Sequence, residues 1–258
     1  MSAPRQRIGS AGSKRQLIWL IPAIAAAALV CAFLLYAEIY YHADETALAA
    51  LATDDEVSVT RTGYGWRFDG PADGNALIFY PGAKVEETAY APLLRRIAGQ
   101  GMDVCLVKMP FRLAIFGVNR AEAAMAAHDY DRWYIGGHSL GGAMVASYAA
   151  KHPDRLSGVI LFAAYPTEAL DDRLGLLSVY GSEDGVLNRK RLSEGGRFAP
   201  EDARICVIEG GNHAGFGSYG EQRGDGAAII SPEEQQRRTA ELIAEFIMRQ
   251  DSVKATDR

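Results

Sequence analysis

Between Arg132 and Lys151 the chain reads RWYIGGHSLGGAMVASYAAK. Apolar, strand-type residues break on Gly137-His138-Ser139-Leu140-Gly141, and an alanine-rich helical pattern follows until Pro153. A strand that becomes a helix within so few residues needs a turn too tight for neighbouring Cβ atoms. The glycines answer that need, and Ser139 is left at the apex of the turn. A buried strand delivered directly into a helix is the building unit of a parallel sheet covered on both faces.

The rest of the chain carries the same alternation. EVSVTRTGYGWRFDG alternates around Gly63 and Gly65 and reads as a pair of short antiparallel strands. Strand-like ALIFYPG, DVCLVKMP and WYIGGHS alternate with helical AYAPLLRRIAGQG, RAEAAMAAHD and GGAMVASYAAKHP. Three further strands are expected in SGVILFAAY, LGLLSVYGSED and ARICVIEGGNH. An amphipathic helix, SPEEQQRRTAELIAEFIMRQ, follows, with Ser231 as N-cap and Pro232 at its first position. The spacing therefore predicts a mostly parallel sheet flanked by helices over residues 56–250, with 251–258 frayed.

The serine at the apex has two readings. In one it merely caps the next helix. In the other, Gly-x-Ser-x-Gly between strand and helix is a nucleophile elbow, with Oγ raised above the sheet and the free Leu140 N–H available to an oxyanion. A serine nucleophile needs a base, and the base an orienting acid, in the chain order Ser, Asp or Glu, His at the ends of later strands. LLSVYGSEDGV ends one strand on Asp184, with Glu183 as the rival acid, and ICVIEGGNHAGFG ends the next on His213. His42, His128 and His152 lie in worse positions, and His138 should point away from Ser139, so all four read as structural or exposed. A second oxyanion donor is expected from FYPGAKVEE: the Ala83 N–H after Gly82, with Lys84 as the runner-up.

On these motifs the segment from about Val57 to Met248 resembles an α/β-hydrolase. It is similar to the small bacterial fold-5 branch, akin to dienelactone hydrolases, in FYPGAKVEETAYAPLLRRIAGQG, VKMPFRLAIFG, GGHSLGGAM, YGSEDGV and GGNHAGFGSYGEQRGDG. The resemblance implies a hydrolase with Ser139 as nucleophile, Asp184 as acid and His213 as base. Dienelactone enzymes carry cysteine at the elbow, whereas this chain has serine, which favours an ordinary ester, thioester or lactone. Only about ten residues join VILFAAY to LGLLSVYG, too few for a cap domain. Phe111, Leu113, Ile115 and Phe116 then read either as an apolar pocket lining or as core. Asp225 in GDG reads as a turn residue or a cation ligand.

Leu17 to Ala37 contains no charge over 21 residues, enough helix for a hydrocarbon core of about 30 Å. A cleaved signal peptide, cut near Ala47 to Leu51, is the rival reading. Val30 disfavours lipoprotein processing at Cys31. Arg5, Arg7, Lys14 and Arg15 precede the run, and Glu38, Asp44 and Glu45 follow it. By the positive-inside rule, residues 1–16 stay cytoplasmic, 17–37 span as a signal anchor, 38–55 form a linker, and the hydrolase domain is extracytoplasmic.

The net charge of −5 and the lack of a basic stripe argue against a nucleic-acid partner. Three cysteines give no disulfide framework or metal spacing and read as buried free thiols. The expectation is a membrane-anchored serine hydrolase acting on a small acyl substrate, with neither cofactor nor metal. An acyltransferase using the same triad and a catalytically silent anchored binding module are the alternatives.

Overall fold

The computed structural model describes residues 11–71 and 74–256. Arg5 and Arg7, half of the basic cluster before the apolar run, lie outside the described residues, as do Asp257 and Arg258. The chain divides into two compact units, one ending at Ile39 and one beginning at Tyr40.

The first unit is a single helix, α1 (Ala11–Glu38), so helix begins inside the stretch expected as a basic tail. Its apolar part, Trp19–Glu38, has a mean hydropathy of 2.4 over 20 residues. Trp19, Ile21, Leu29 and Leu35 are exposed along it. A helix this long and apolar has the length and composition of a membrane span or of a signal sequence. Cys31 lies exposed on this helix and Cys206 is half-buried, so of the three thiols expected inside only Cys105 is buried. Burial pushes the Cys105 thiol up to about 11.

The second unit begins with α2 (Glu45–Ala49), which Asp44 caps by accepting the Ala47 N–H at 2.9 Å. The stretch expected as a linker is therefore folded from Tyr40 onward. Next come β1 (Ser58–Arg61), β2 (Gly65–Asp69), β3 (Asn75–Tyr80), α3 (Ala91–Gly99), β4 (Asp103–Val107) and α4 (Ala121–Ala127). They are followed by β5 (Arg132–His138), α5 (Leu140–Lys151), β6 (Gly158–Phe162), β7 (Gly175–Gly181), α6 (Arg189–Gly195), β8 (Arg204–Ile208) and α7 (Pro232–Thr256).

The eight strands form one sheet in the order β1-β2-β4-β3-β5-β6-β7-β8. The β1–β2 hairpin joins it antiparallel through β2–β4, and every pairing from β4 to β8 is parallel. Alternation along each buried strand feeds two cores. Leu77, Phe79, Phe162 and Val179 pack under α3 and α7 with Leu94, Ile97, Ile243 and Phe246. Ile78, Tyr80, Ile135 and Leu161 face α4 and α5 with Ala124, Val145 and Tyr148. Both faces are covered, which is why the central strands are apolar throughout.

One local expectation is corrected, and one helix was not expected. α7 continues to Thr256 rather than fraying after Gln250: no glycine or proline interrupts it, and Asp251 pairs with Arg132 at the start of β5. α6 was not legible, because RKRLSEG has no apolar stripe to announce a helix. Ala163 to Leu174, between β6 and β7, carries no helix or strand, so that connection contributes no cap.

Candidate active site

β5 ends and α5 begins on either side of Ser139, whose backbone stands at φ 53°, ψ −118°. A non-glycine residue held there carries about 1–3 kcal/mol of strain, which persists only where the surroundings impose it. They do so here. Ser139 N donates to Phe162 O on the neighbouring strand at 2.9 Å. A Cβ at Gly141 would collide with the carbonyl oxygens of Tyr80 and Pro81, so α5 can approach β3 only with glycine at that position. The Ser139 side chain makes no capping hydrogen bond to α5, which removes the capping reading. Ser139 is half-buried at the N-terminus of a 12-residue helix, where the macrodipole favours negative charge.

The turns after β7 and β8 bring Asp184 and His213 together. His213 Nδ1 lies 2.9 Å from Asp184 Oδ2, with both side chains almost completely buried. The other carboxylate oxygen accepts the N–H groups of Val186 at 2.9 Å and Leu187 at 2.7 Å. Burial pushes this carboxyl up, but the hydrogen bond and charge of His213 and the two N–H donors outweigh it and hold Asp184 below the usual carboxylate range. Glu183 turns aside and accepts the Ser182 hydroxyl at 2.8 Å, so of the two rival acids only Asp184 reaches the histidine. Among the described hydrogen bonds none joins Ser139 Oγ to His213.

Sequence reasoning missed two supports of this pair. His138 does point away from Ser139, but it is buried against His213, with ring centroids 4.4 Å apart at 49°. Its Nδ1 is 2.8 Å from Tyr90 Oη, which accepts the Gly82 N–H at 3.1 Å. Burial keeps the Tyr90 phenol protonated. Burial first and the neighbouring His213 second hold the His138 imidazole well below its usual range. His138 Nε2 is buried without a hydrogen-bond partner. A Cβ at Gly82 would lie 2.8 Å from both Tyr90 Oη and His138 Nδ1, which is the physical reason for glycine there.

The second support is Asp225. One carboxylate oxygen accepts the N–H groups of Gly185 (3.0 Å) and Gly226 (2.8 Å), and the other that of Ala214 (2.8 Å). It ties the loop after β7 to the loop after β8, and its oxygens face N–H donors, a shell unsuited to a cation. Gln235 completes the tie, accepting the Asn212 N–H at 2.9 Å and donating to Asn212 O at 2.8 Å. A crevice of about 470 Å³ bounded by Asn212, Ser218, Gln222 and Asp225 opens beside these loops and does not include Ser139.

In the loop after β3, Lys84 N donates to Arg112 O at 2.9 Å, so the runner-up oxyanion donor is already committed. Among the described hydrogen bonds none uses the N–H of Ala83 or of Leu140. Of the four apolar residues expected as lining or core, Leu113 is buried, while Phe111, Ile115 and Phe116 are exposed. The remaining histidines serve elsewhere. His128 meets Tyr64 Oη at 2.9 Å, His152 packs on Tyr148, and His42 lies near Glu86 at the surface.

A profile of the alpha/beta hydrolase family matches residues 76–237, which contain Ser139, Asp184 and His213. The chain belongs to the alpha/beta hydrolase family. Among relatives, the protein of Mycobacterium phage D29 named "Putative non-heme haloperoxidase" is 30% identical over 101 residues. That match spans 35% of this chain and 36% of the phage protein, about a third of the relative's length. Two solved structures share the architecture. TT1662 from Thermus thermophilus aligns over 76% of this chain and 98% of its own, with TM-score 0.53 and 16% identity. A membrane phospholipase A described as a bacterial virulence factor aligns over 92% and 99%, with TM-score 0.58 and 12% identity. At these identities the likeness is one of fold alone.

Proposed function

We propose that this family member is a membrane-anchored serine hydrolase that cleaves an acyl ester, thioester or lactone through an acyl-enzyme. The observation that carries the reading is the buried Asp184–His213 pair, 2.9 Å apart, on the two turns that follow β7 and β8. Beside it, Ser139 is held in a strained turn that does not use its hydroxyl for capping. With Nδ1–H turned to the carboxylate, the His213 Nε2 lone pair is available to take the Ser139 proton as Oγ attacks the acyl carbonyl. The N–H groups of Leu140 and Ala83 hold the tetrahedral oxyanion. The leaving alcohol or thiol departs with the proton from His213. Water, deprotonated by the same histidine, then releases the acid and regenerates Ser139.

The 20-residue apolar part of α1 supports an anchor, and the basic residues before it favour a cytoplasmic N-terminus. An N-terminal signal sequence can also be long and apolar enough to match this helix, and an intact N-terminus on the membrane-bound protein separates the two.

The test of the chemistry is kinetic. The full chain in detergent is assayed against esters graded by acyl length, together with Ser139→Ala, His213→Ala and Asp184→Asn. The expected result is turnover by the parent and losses of about 10⁴-fold or more in kcat for each variant without loss of fold. Turnover by Ser139→Ala at the parental rate contradicts the proposal.

A further inference from the structure

The chain enters its second unit beside the candidate oxyanion loop. Tyr41 N donates to Lys84 O at 2.8 Å, Glu86 N donates to Tyr41 O at 2.9 Å, and Tyr41 pairs in parallel with Val85. One residue earlier, the Arg112 guanidinium stacks 3.4 Å from the centre of the Tyr40 ring. Only Ile39 separates Tyr40 from Glu38, the last residue of α1. Two Cα steps, about 8 Å of chain, thus join the end of the apolar helix to a residue in contact with the loops around Ala83. A domain on so short a tether cannot work far from the membrane that holds the tether.

A second observation points the same way. The loop whose Arg112 O accepts the Lys84 N–H also exposes Phe111 (44%), Ile115 (48%) and Phe116 (51%). Phe111 and Arg112 stand at φ 54° and 57°, a left-handed pair of non-glycine residues that the fold maintains against strain. The two phenyl rings meet edge-on, 5.7 Å apart. Three large apolar side chains exposed within six residues are a liability in water. At a headgroup boundary they are the groups that enter the lipid.

We propose that the substrate is an acyl ester carried by a lipid of the membrane that holds α1, and that it reaches Ser139 across the face formed by Tyr40 and the 111–116 loop. This rests on the anchored serine-hydrolase reading and names its substrate class. Ser139 Oγ forms an ester with the lipid acyl carbon while the lipid alcohol leaves with the proton from His213. Water then releases the free fatty acid.

The full chain is reconstituted into vesicles of phosphatidylethanolamine and phosphatidylglycerol, and two rates are read: fatty-acid release from the vesicle lipid, and hydrolysis of water-soluble p-nitrophenyl acetate. A semi-rigid helical spacer of about 25 residues, inserted between Glu38 and Ile39, lifts the domain by about 35 Å. Because a tether that cannot span the gap removes the effective concentration of the partner, fatty-acid release is expected to fall by about tenfold or more while acetate hydrolysis stays within about twofold. Phe111→Ser with Phe116→Ser on the unaltered tether is expected to lower the ratio of lipid to acetate turnover by about fivefold. Fatty-acid release that the spacer leaves unchanged, or acetate hydrolysis with no lipid turnover by the parent chain, overturns the substrate assignment alone. Absence of both activities removes the serine-hydrolase reading and the assignment with it.

Discussion

At the scale of single residues, His138 carries a consequence for stability. Its imidazole is buried, packed on His213 and held well below the usual range of about 6.5. The unfolded chain therefore binds a proton at this site more readily than the folded one does. Below about pH 6.5, and down to the depressed folded value, acid favours unfolding by about 1.4 kcal/mol per pH unit. Above 6.5 both states are neutral and the full stability is present. Thermal unfolding of the parent chain is thus expected to move to lower temperature as the pH falls from 6.5, with a slope reduced by about one proton in His138→Phe. Equal slopes would mean that His138 is charged in the fold or reached by solvent. Asp184 acts in the same direction at lower pH, because its folded value lies below the unfolded one of 3.8.

Among the elements, the β5–α5 elbow decides whether there is a site at all. Gly141→Ala is expected to destabilise the fold by about 3 kcal/mol, the upper range for overpacking, because its Cβ meets backbone carbonyl oxygens that cannot rotate away. Denaturant unfolding reads this directly, and a cost below about 1 kcal/mol would mean that β3 and α5 separate more easily than their packing implies. The tight β5–α5 turn, the strand alternation and the places of Ser139, Asp184 and His213 after strand ends were legible because each is local: a period, a breaker, or a residue at a strand end. His138 and Asp225 were not. The sequence indicates that His138 turns from Ser139, but nothing near it announces that His213, from another turn, occupies the space it turns into. Asp225 looks like any Asp between glycines until the N–H groups of Gly185 and Ala214 converge on it beside that of its neighbour Gly226. Likewise, Glu183 and Asp184 are equivalent as letters, and only the trajectory of the turn after β7 separates them.

For the whole molecule, the folded unit starts at Tyr40. The expected linker failed as a reading because its contacts are backbone bonds to distant loops, which composition does not encode. Tyr41 contributes two backbone bonds, and its hydroxyl accepts the Arg223 N–H at 3.1 Å. At about 1 kcal/mol for each bond, a chain beginning at Ala43 is expected to unfold about 6 °C or more below one beginning at Tyr40. Coincident melting curves would show that the segment contributes nothing to the domain. The central claim is that Ser139 is an activated nucleophile, and the most direct measurement is intact mass of the full chain after exposure to a fluorophosphonate. A single adduct, mapping to Ser139 and absent from both Ser139→Ala and His213→Ala, is the result expected. An unmodified parent chain that is correctly folded, or an adduct that survives in Ser139→Ala, would contradict it.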